Sequence, residues 1–258
     1  MNPAGNLETC GLQIRVADRV LCRQLDLKIG FGQVWCLLGR NGSGKTTLLH
    51  TLAGLRPPAS GKILLNGTNL DSLRRRQVAQ QIGVLFQDHS DPFPATVLET
   101  ALTGRHPYLG PWERETSKEE NMAVDRLKEV ELDGLENRSV ATLSGGERRR
   151  LGIATLLTQD PPILLLDEPS NHLDLHHQIR MLELLTRGAR QGECTILMIL
   201  HDVNLASRFA DHFLLLFGDG ETLQGERDAV LRQDLLERLY AHPMEPVAAP
   251  HGTAWLPG

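Results

Sequence analysis

The sequence predicts an α/β protein with a mixed, largely parallel sheet, an N-terminal antiparallel β part and a helical insertion. Short, continuously apolar segments such as "VWCLL", "PILLLDE" and "TILMILHD" alternate with helical segments, which is typical of parallel strands covered on both faces. A glycine-rich loop follows the first of these segments. A stretch rich in proline and turn residues, followed by an amphipathic charged helix, separates the first segment from the other two. The last pattern indicates the insertion.

Residues 7 to 38 read as two or three strands with turns, because "LQIRV" and "RVLCRQLDLKI" alternate in part and "VWCLL" is uniformly apolar. A further strand is expected in "GKILLNG". We expect one domain over residues 1–258, built from a core of residues 1–87 and 142–240, a helical subdomain of residues 88–141, and an extended Pro- and Gly-rich tail of residues 241–258.

The glycine-rich loop "GRNGSGKTT" fits G-x-x-x-x-G-K-[ST] completely, between a buried strand and an apolar-periodic helix. Gly39, Gly42 and Gly44 allow a tight, partly left-handed backbone whose N–H groups surround a phosphate at the helix N-terminus. Lys45 can reach the outer phosphates, and the Thr46 hydroxyl can bind Mg²⁺. The loop therefore predicts a P-loop NTPase core.

Two carboxylates, Asp167 and Glu168, end the apolar run of "PPILLLDE". A carboxylate at the carboxyl end of a buried parallel strand faces the crevice that holds the phosphate loop, and there Asp167 can hold the water shell of Mg²⁺. Glu168 points in a different direction and can orient an attacking water or accept its proton.

The stretch "LSGGERRRLGIATLL" contains a second turn that opens a helix, at Ser144, Gly145 and Gly146, and this anion site has no lysine. One nucleotide does not easily occupy two such sites in one small chain. Two chains related by a twofold axis solve this, because the phosphate loop of each chain is then closed by the Ser-Gly-Gly helix of the other.

At this point the sequence resembles the ATP-binding cassette family over nearly its whole length. The motifs follow in order as a Walker A loop in "GRNGSGKTT", a Q-loop at Gln87, the signature "LSGGE", Walker B in "ILLLDE", a D-loop in "SNHLD" and a switch histidine at His201. The resemblance implies ATP and Mg²⁺ as cofactors and a homodimer. It implies ATP-binding residues Gly39, Asn41, Gly42, Ser43, Gly44, Lys45, Thr46 and Thr47.

The resemblance also implies roles for the remaining motif residues. Glu168, His201 and Gln87 would be catalytic, with His201 reaching the γ-phosphate and Gln87 contacting Mg²⁺ or the attacking water. Thr46, Gln87 and Asp167 would hold Mg²⁺. Ser144, Gly145 and Gly146 would contact ATP from the facing chain, and Asp174 would act across the dimer interface.

The sequence departs from the family pattern at two places. The signature commonly ends in glutamine, whereas Glu147 stands here, a first-turn acid that suits the helix dipole. Many cassettes carry an aromatic residue under adenine, and aligning "LQIRVADRVL" puts Val16 there. Strand alternation places Arg15 on the face opposite Val16. We therefore expect the phosphates and Mg²⁺ to dominate binding, with GTP bound about as well as ATP.

Composition and net charge do not favour a nucleic-acid-binding protein. With 41% hydrophobic and 23% charged residues and a net charge of -5, the chain gives no general reason to bind nucleic acid. The two "RRR" clusters, at 74–76 and 148–150, are expected to be solvated helix faces.

Cysteine and histidine spacing does not favour a metal site. The four cysteines lack metal spacing and are expected to be reduced. His172, His176 and His177 have helical spacing, but solvated side chains are favoured over a metal site because no further ligand converges on them in sequence.

The location is also predicted by exclusion. The N-terminus has no signal-peptide pattern and the apolar runs are too short to span a bilayer. We expect a peripheral protein at the cytoplasmic face of the inner or plasma membrane, held there by a partner protein.

The first functional hypothesis is the ATPase subunit of an importer, a homodimer beneath two membrane permease subunits, with a periplasmic or extracellular binding protein as an indirect partner. The stretch "TVLETALTGRHPYLG" and the short tail resemble the ATPases of importers for ferric siderophores, haem or cobalamin, and no residue excludes molybdate. The segments "DPFPATVLE" and "GRHPYLGPW" are candidate docking surfaces. A soluble cassette ATPase acting on DNA or ribosomes is the alternative, and a regulatory module without turnover is a weaker one.

Overall fold

A computed structural model describes residues 5–87, 94–110, 112–249 and 252–258. Its strands are β1 (Leu7–Val16), β2 (Arg19–Leu25), β3 (Lys28–Ile29), β4 (Val34–Gly39), β5 (Ser60–Leu65), β6 (Thr68–Asn69), β7 (Ile82–Leu85), β8 (Ile163–Asp167), β9 (Thr195–Ile199), β10 (His212–Leu216), β11 (Thr222–Glu226), β12 (Met244–Ala249) and β13 (Gly252–Pro257). Its helices are α1 (Lys45–Leu52), α2 (Arg75–Ala79), α3 (Val97–Leu102), α4 (Ser117–Glu129), α5 (Gly145–Gln159), α6 (Leu175–Arg190), α7 (Val203–Phe209), α8 (Arg227–Val230) and α9 (Gln233–Tyr240).

The central sheet has six strands in the order β11-β10-β4-β9-β8-β7. Every pair in it is parallel except β10 with β11. The predicted mixed, largely parallel sheet is confirmed. The phosphate loop follows β4, and β8 is separated from it by β9 alone, so the carboxyl ends of these strands bring the loop and the Asp167–Glu168 pair to one edge.

Strand β4 is apolar throughout because both faces of the sheet are covered. Cys36 and Leu38 point into one hydrophobic cluster, which includes residues of α5, α6 and α7. Trp35 and Leu37 point into a second cluster, which includes residues of α1 and of the N-terminal strands. Since successive side chains alternate between faces, a strand buried on both sides shows no alternation in its sequence.

The N-terminal part forms a second, antiparallel sheet in the order β2-β1-β5-β6, with β3 paired to β1. This confirms the antiparallel β part. The turn between β1 and β2 is made by two residues, and Val16 on one side of it pairs with Arg19 on the other. Ala17 in this turn has a left-handed φ of 49°.

In the described part of the region between β7 and α5, the helices α3 and α4 pack on α5. Each begins with a capping box, in which Thr96 and Glu99, or Thr116 and Glu119, exchange hydrogen bonds at the helix N-terminus. The first predicted residues of the helical subdomain, 88–93, lie outside the described residues. Its boundaries stay a prediction.

The segment after α3 is tied to α2 of the core. Arg76 donates to the carbonyls of Pro107 and Tyr108 at 2.8 and 2.9 Å, and Gln80 also donates to Pro107 at 2.8 Å. The Tyr108 hydroxyl donates back to the Gln80 carbonyl at 3.3 Å, and the Arg105 guanidinium lies over the Tyr108 ring. Arg76, which belongs to the arginine cluster at 74–76, therefore joins helix α2 to the segment after α3.

The tail is extended, as expected, but it is also paired. Strands β12 and β13 form an antiparallel hairpin that packs on α7 and α9. Trp255 is buried in it, and the side chain of Asn204 both donates to the Trp255 carbonyl and accepts from the Trp255 N–H. The Pro- and Gly-rich composition concealed this pairing.

The four cysteines are all free. Cys10 is exposed on β1, whereas the other three are buried. Burial raises the pKa of Cys22 to about 11 and those of Cys36 and Cys194 to about 12. Within the described residues, no helix combines the length and the apolar character needed to cross a membrane.

Candidate functional site

A cavity of about 480 Å³ lies between the phosphate loop and the β1–β2 turn. It is lined by Val16, Arg19, Leu21, Asn41, Gly42, Gly44, Lys45, Thr46, Thr47, Gln87, Glu168 and His201. The fold thus gathers the proposed catalytic residues and most of the proposed ATP-binding loop around one space. Gly39 and Ser43, which also belong to the predicted loop, lie behind its surface.

Glycines determine the backbone conformation of the phosphate loop, and Lys45 forms hydrogen bonds to its carbonyls. Gly42 and Gly44 have left-handed φ values of 74° and 104°, as predicted, but Gly39 does not. Gly39 is needed for a different reason, because a Cβ there would lie 2.6 Å from the Ser43 hydroxyl and 2.7 Å from the Leu216 carbonyl. The Lys45 ammonium is buried and donates to the carbonyls of Gly39 and Arg40 at 2.8 and 3.1 Å.

Burial lowers the pKa of Lys45, and the nearby carboxylates of Glu168 and Asp167 oppose this effect. Among the described residues, the hydrogen-bond partners of the ammonium are two neutral carbonyls, and two carboxylates lie nearby. An anionic phosphate offers it a stronger, charge-assisted hydrogen bond than the two carbonyls do.

Asp167 ends β8 completely buried, and among the described residues neither of its carboxylate oxygens has a well-formed hydrogen bond. Burial raises its pKa, and the adjacent Thr46 hydroxyl partly offsets this. The buried Asp167 carboxylate lies beside the Thr46 hydroxyl, and Thr46 and Gln87 both line the cavity. This set of oxygen atoms suits a hard cation that prefers oxygen ligands. These residues fit the predicted Mg²⁺ site, in which the cation would neutralise phosphate charge.

Glu168 is held by three side chains. The His201 imidazole Nε2 contacts Oε1, while the amides of Asn171 and Gln87 donate to Oε2, the latter at 3.2 Å. Glu168 itself has a left-handed φ of 51°, a strained conformation that lets it turn sharply out of β8. Asn171 is a member of this group that sequence reasoning missed, although it lies inside the "SNHLD" motif.

Arg149 overturns the expectation that the second arginine cluster is a solvated helix face. Its guanidinium is buried and donates to the carbonyls at the ends of two strands. The acceptors are Phe86 and Gln87 after β7, and Asp167, Glu168 and Pro169 at the end of β8. Arg149 therefore fixes the Q-loop and the two carboxylates to helix α5. A charge in a helix gives no sequence signal of such burial.

The signature helix α5 begins with a capping box. Ser144 donates from its N–H to the Glu147 carboxylate at 2.7 Å, and its hydroxyl accepts from the Glu147 N–H at 3.2 Å. Hydrogen bonds from the Ser144 N–H and hydroxyl to the carboxylate, with help from Arg138, lower the pKa of Glu147. Glutamate is therefore favourable at position 147 in place of the usual glutamine, because its charged carboxylate faces the positive end of the helix dipole.

Ser144, Gly145 and Gly146 are not among the described residues that line the cavity. Gly146 instead faces the His172 carbonyl, and a Cβ at this position would lie 3.2 Å from that oxygen. The signature and the D-loop are therefore neighbours within one chain.

Asp174 caps α6 by accepting from the His177 N–H at 2.9 Å, which lowers the pKa of Asp174. The His177 imidazole lies 2.9 Å from Asp174 and 3.5 Å from Glu131, and Glu131 also pairs with Arg180. The described residues contain no group of three or more His, Cys, Asp or Glu side chains that could hold a metal.

The comparisons with known proteins agree with this geometry. The family model described as ABC transporter matches residues 22–171. The probable siderophore transport system ATP-binding protein YusV of Bacillus subtilis is 36% identical over 95% of this chain and 93% of its own length. The hemin import ATP-binding protein HmuV of Nocardia farcinica is 38% identical over 89% of this chain and 78% of its own length.

Two solved structures are also similar. One, described as a metal-chelate type ABC transporter in an inward-facing conformation, superposes with a TM-score of 0.84 and 28% identity over 97% of this chain and 96% of that chain. The dimeric, post-hydrolysis cassette MJ0796 bound to ADP and Pi gives a TM-score of 0.75 and 26% identity over 85% of this chain and 98% of that chain. This chain belongs to the ABC transporter family and is one of its ATPases.

Proposed function

We propose that this ATPase powers the import of a metal chelate, a ferric siderophore or haem, through a partner permease. The observation that carries the proposal is the similarity of almost the full chain to a siderophore transport ATP-binding protein, together with the metal-chelate type neighbour. Because the hemin import ATP-binding protein HmuV is also similar, we propose both ferric siderophores and haem as cargoes. Cobalamin was also among the predicted cargoes, and none of these similarities favours it.

Glu168 is proposed as the general base of ATP hydrolysis. Its carboxylate lines the same cavity as Lys45, which would hold the phosphates, and His201, which would reach the γ-phosphate. One carboxylate oxygen, Oε2, accepts hydrogen bonds from Gln87 and Asn171, and the His201 Nε2 contacts the other. A carboxylate offers about four acceptor sites, so Glu168 can still take a proton from a water while these contacts hold it in place.

A homodimer is proposed because the site in one chain is incomplete. The cavity contains the phosphate loop but lacks the signature residues, which stand at the N-terminus of α5. A second copy facing the first would bring its Ser144 and Asp174 to this cavity. The dimeric cassette among the similar structures supports this arrangement.

The permease is proposed to dock on the helical region between β7 and α5, at the cytoplasmic face of the membrane. An external binding protein would then act only through the permease, and no nucleic acid is expected. Tyr108, one of the predicted docking residues, is engaged with Gln80 and Arg105 instead. Trp112 in the same predicted segment is 97% exposed, which makes it the better candidate.

Purification of the chain from its native membranes tests the proposal. We expect a permease to co-purify, and we expect Trp112→Asp to reduce that association while leaving the ATPase activity of the isolated chain intact. Glu113→Gln, beside it, is the matched control. Recovery of ribosomes or DNA in place of a permease would favour the soluble cassette class and overturn the import assignment.

A further inference from the structure

The end of the cavity next to the β1–β2 turn raises a question about the nucleotide base. The described residues that line the cavity include no Phe, Tyr or Trp. Val16 occupies the place predicted for an aromatic platform, and its exposed side chain is small and not planar. Some other group must supply a flat surface if the base is to be stacked.

Arg19 is placed to do so. It is the cross-strand partner of Val16, and residues directly opposite each other on antiparallel strands present their side chains on the same face. Both line the cavity, whereas Arg15 does not. Arg19 is exposed, so its guanidinium is accessible at the mouth of the cavity.

Two hydrogen bonds fix the guanidinium in place. One nitrogen donates to the Gly42 carbonyl at 3.0 Å and the other to the Gly218 carbonyl at 2.9 Å, so Arg19 bridges the phosphate loop and the loop after β10. Hydrogen bonds of a guanidinium lie in its plane, and they leave its faces open to stack on another planar group. The platform is therefore oriented before any ligand arrives.

We propose that the base of the nucleotide stacks on the Arg19 guanidinium, with Val16 and Leu21 as apolar neighbours. The inference rests on nucleotide binding at this cavity. Arginine planes stack on nucleic-acid bases, and stacking uses the π-face that every base has rather than its hydrogen-bonding edge. Arg19 thus contributes affinity for the base without selecting adenine over guanine.

Equilibrium titration with ADP, GDP and inorganic pyrophosphate tests the proposal, since none of these needs the hydrolytic step. Arg19→Ala should weaken ADP and GDP by about fivefold to tenfold, while pyrophosphate, which has no base, changes by less than about twofold. Arg19→Lys should show the same loss, because it keeps the charge but not the plane. Arg19→Tyr should bind both nucleotides within about twofold of the wild type.

Arg15→Ala is the matched control and should change nothing, because Arg15 is exposed on the same hairpin but outside the cavity. An equal loss of pyrophosphate and ADP in Arg19→Ala would assign Arg19 to the shape of the phosphate loop and overturn the inference. Unchanged ADP binding in Arg19→Ala, or full binding by Arg19→Lys, would overturn it as well. If the wild-type protein binds none of the three ligands, the cavity is not a nucleotide site, and the nucleotide binding on which the inference rests fails.

Discussion

The side-chain amide of Asn171 donates to the carboxylate of Glu168 across a turn that Glu168 makes with a left-handed backbone. The Asn171 N–H also donates to the Glu168 carbonyl at 3.0 Å, so one residue holds both the main chain and the side chain of the proposed base. The D-loop and the base are thereby mechanically joined. A movement of the D-loop at a dimer interface would therefore displace Glu168.

Replacing Asn171 tests this connection. Asn171→Ala should lower kcat by about tenfold with unchanged affinity for ADP, because the carboxylate loses one of its positioning donors. Asn171→Asp should lower kcat further, since it puts a second negative charge against Glu168. Steady-state phosphate release and ADP titration measure both effects. Equal activity in the two variants would contradict the positioning role.

Glu168→Gln keeps size and polarity but removes the proton acceptor. We expect ATP to bind while hydrolysis falls by at least about 100-fold, the contribution typical of a general base. The ATP-bound chain should then elute as a stable dimer in gel filtration. Hydrolysis near the wild-type rate would mean that the base is another residue.

Asp167→Asn is expected to stabilise the nucleotide-free chain by about 0.5–2 kcal/mol at neutral pH, because it removes a buried charge that function requires. Burial raises the pKa of Asp167 in the folded state above its unfolded value. The penalty is therefore complete above the folded pKa and disappears as the pH falls toward the unfolded pKa.

Urea unfolding of both proteins at several pH values measures this difference, which should shrink as the solution becomes more acidic. Mg²⁺-dependent ATP hydrolysis by Asp167→Asn should be lost at every pH. A variant that is less stable than the wild type at neutral pH would show that the carboxylate has a favourable partner in the folded chain.

Arg149→Met should destabilise the chain by about 2–4 kcal/mol, because it leaves several buried carbonyls without their donor. Arg190→Met on α6 is the matched control, since Arg190 is exposed, and it should have a small effect. Thermal unfolding of the two variants provides the comparison. Equal melting temperatures would show that water replaces the guanidinium at these carbonyls.

The sequence was informative where function depends on local pattern. The strand before Gly39, the loop to Lys45 and the carboxylates of Asp167 and Glu168 follow from neighbouring residues alone, and the fold brings Lys45 and Glu168 to one cavity. Asn171, Arg149 and Arg19 were missed because their contacts join segments whose proximity depends on the tertiary fold or on a tight turn. Trp255 was missed for a similar reason, since its burial depends on the surface of α7.

The unequal environments of the four thiols have a practical consequence. Thiolate is the form that alkylating reagents attack, so the three buried cysteines with raised pKa values are protected at neutral pH. Cys10 is exposed on β1, in the antiparallel sheet, with Lys62 as its cross-strand partner. The wild-type chain therefore offers a single natural attachment point for a fluorophore or spin label, and distances between two copies can be followed without first removing any cysteine.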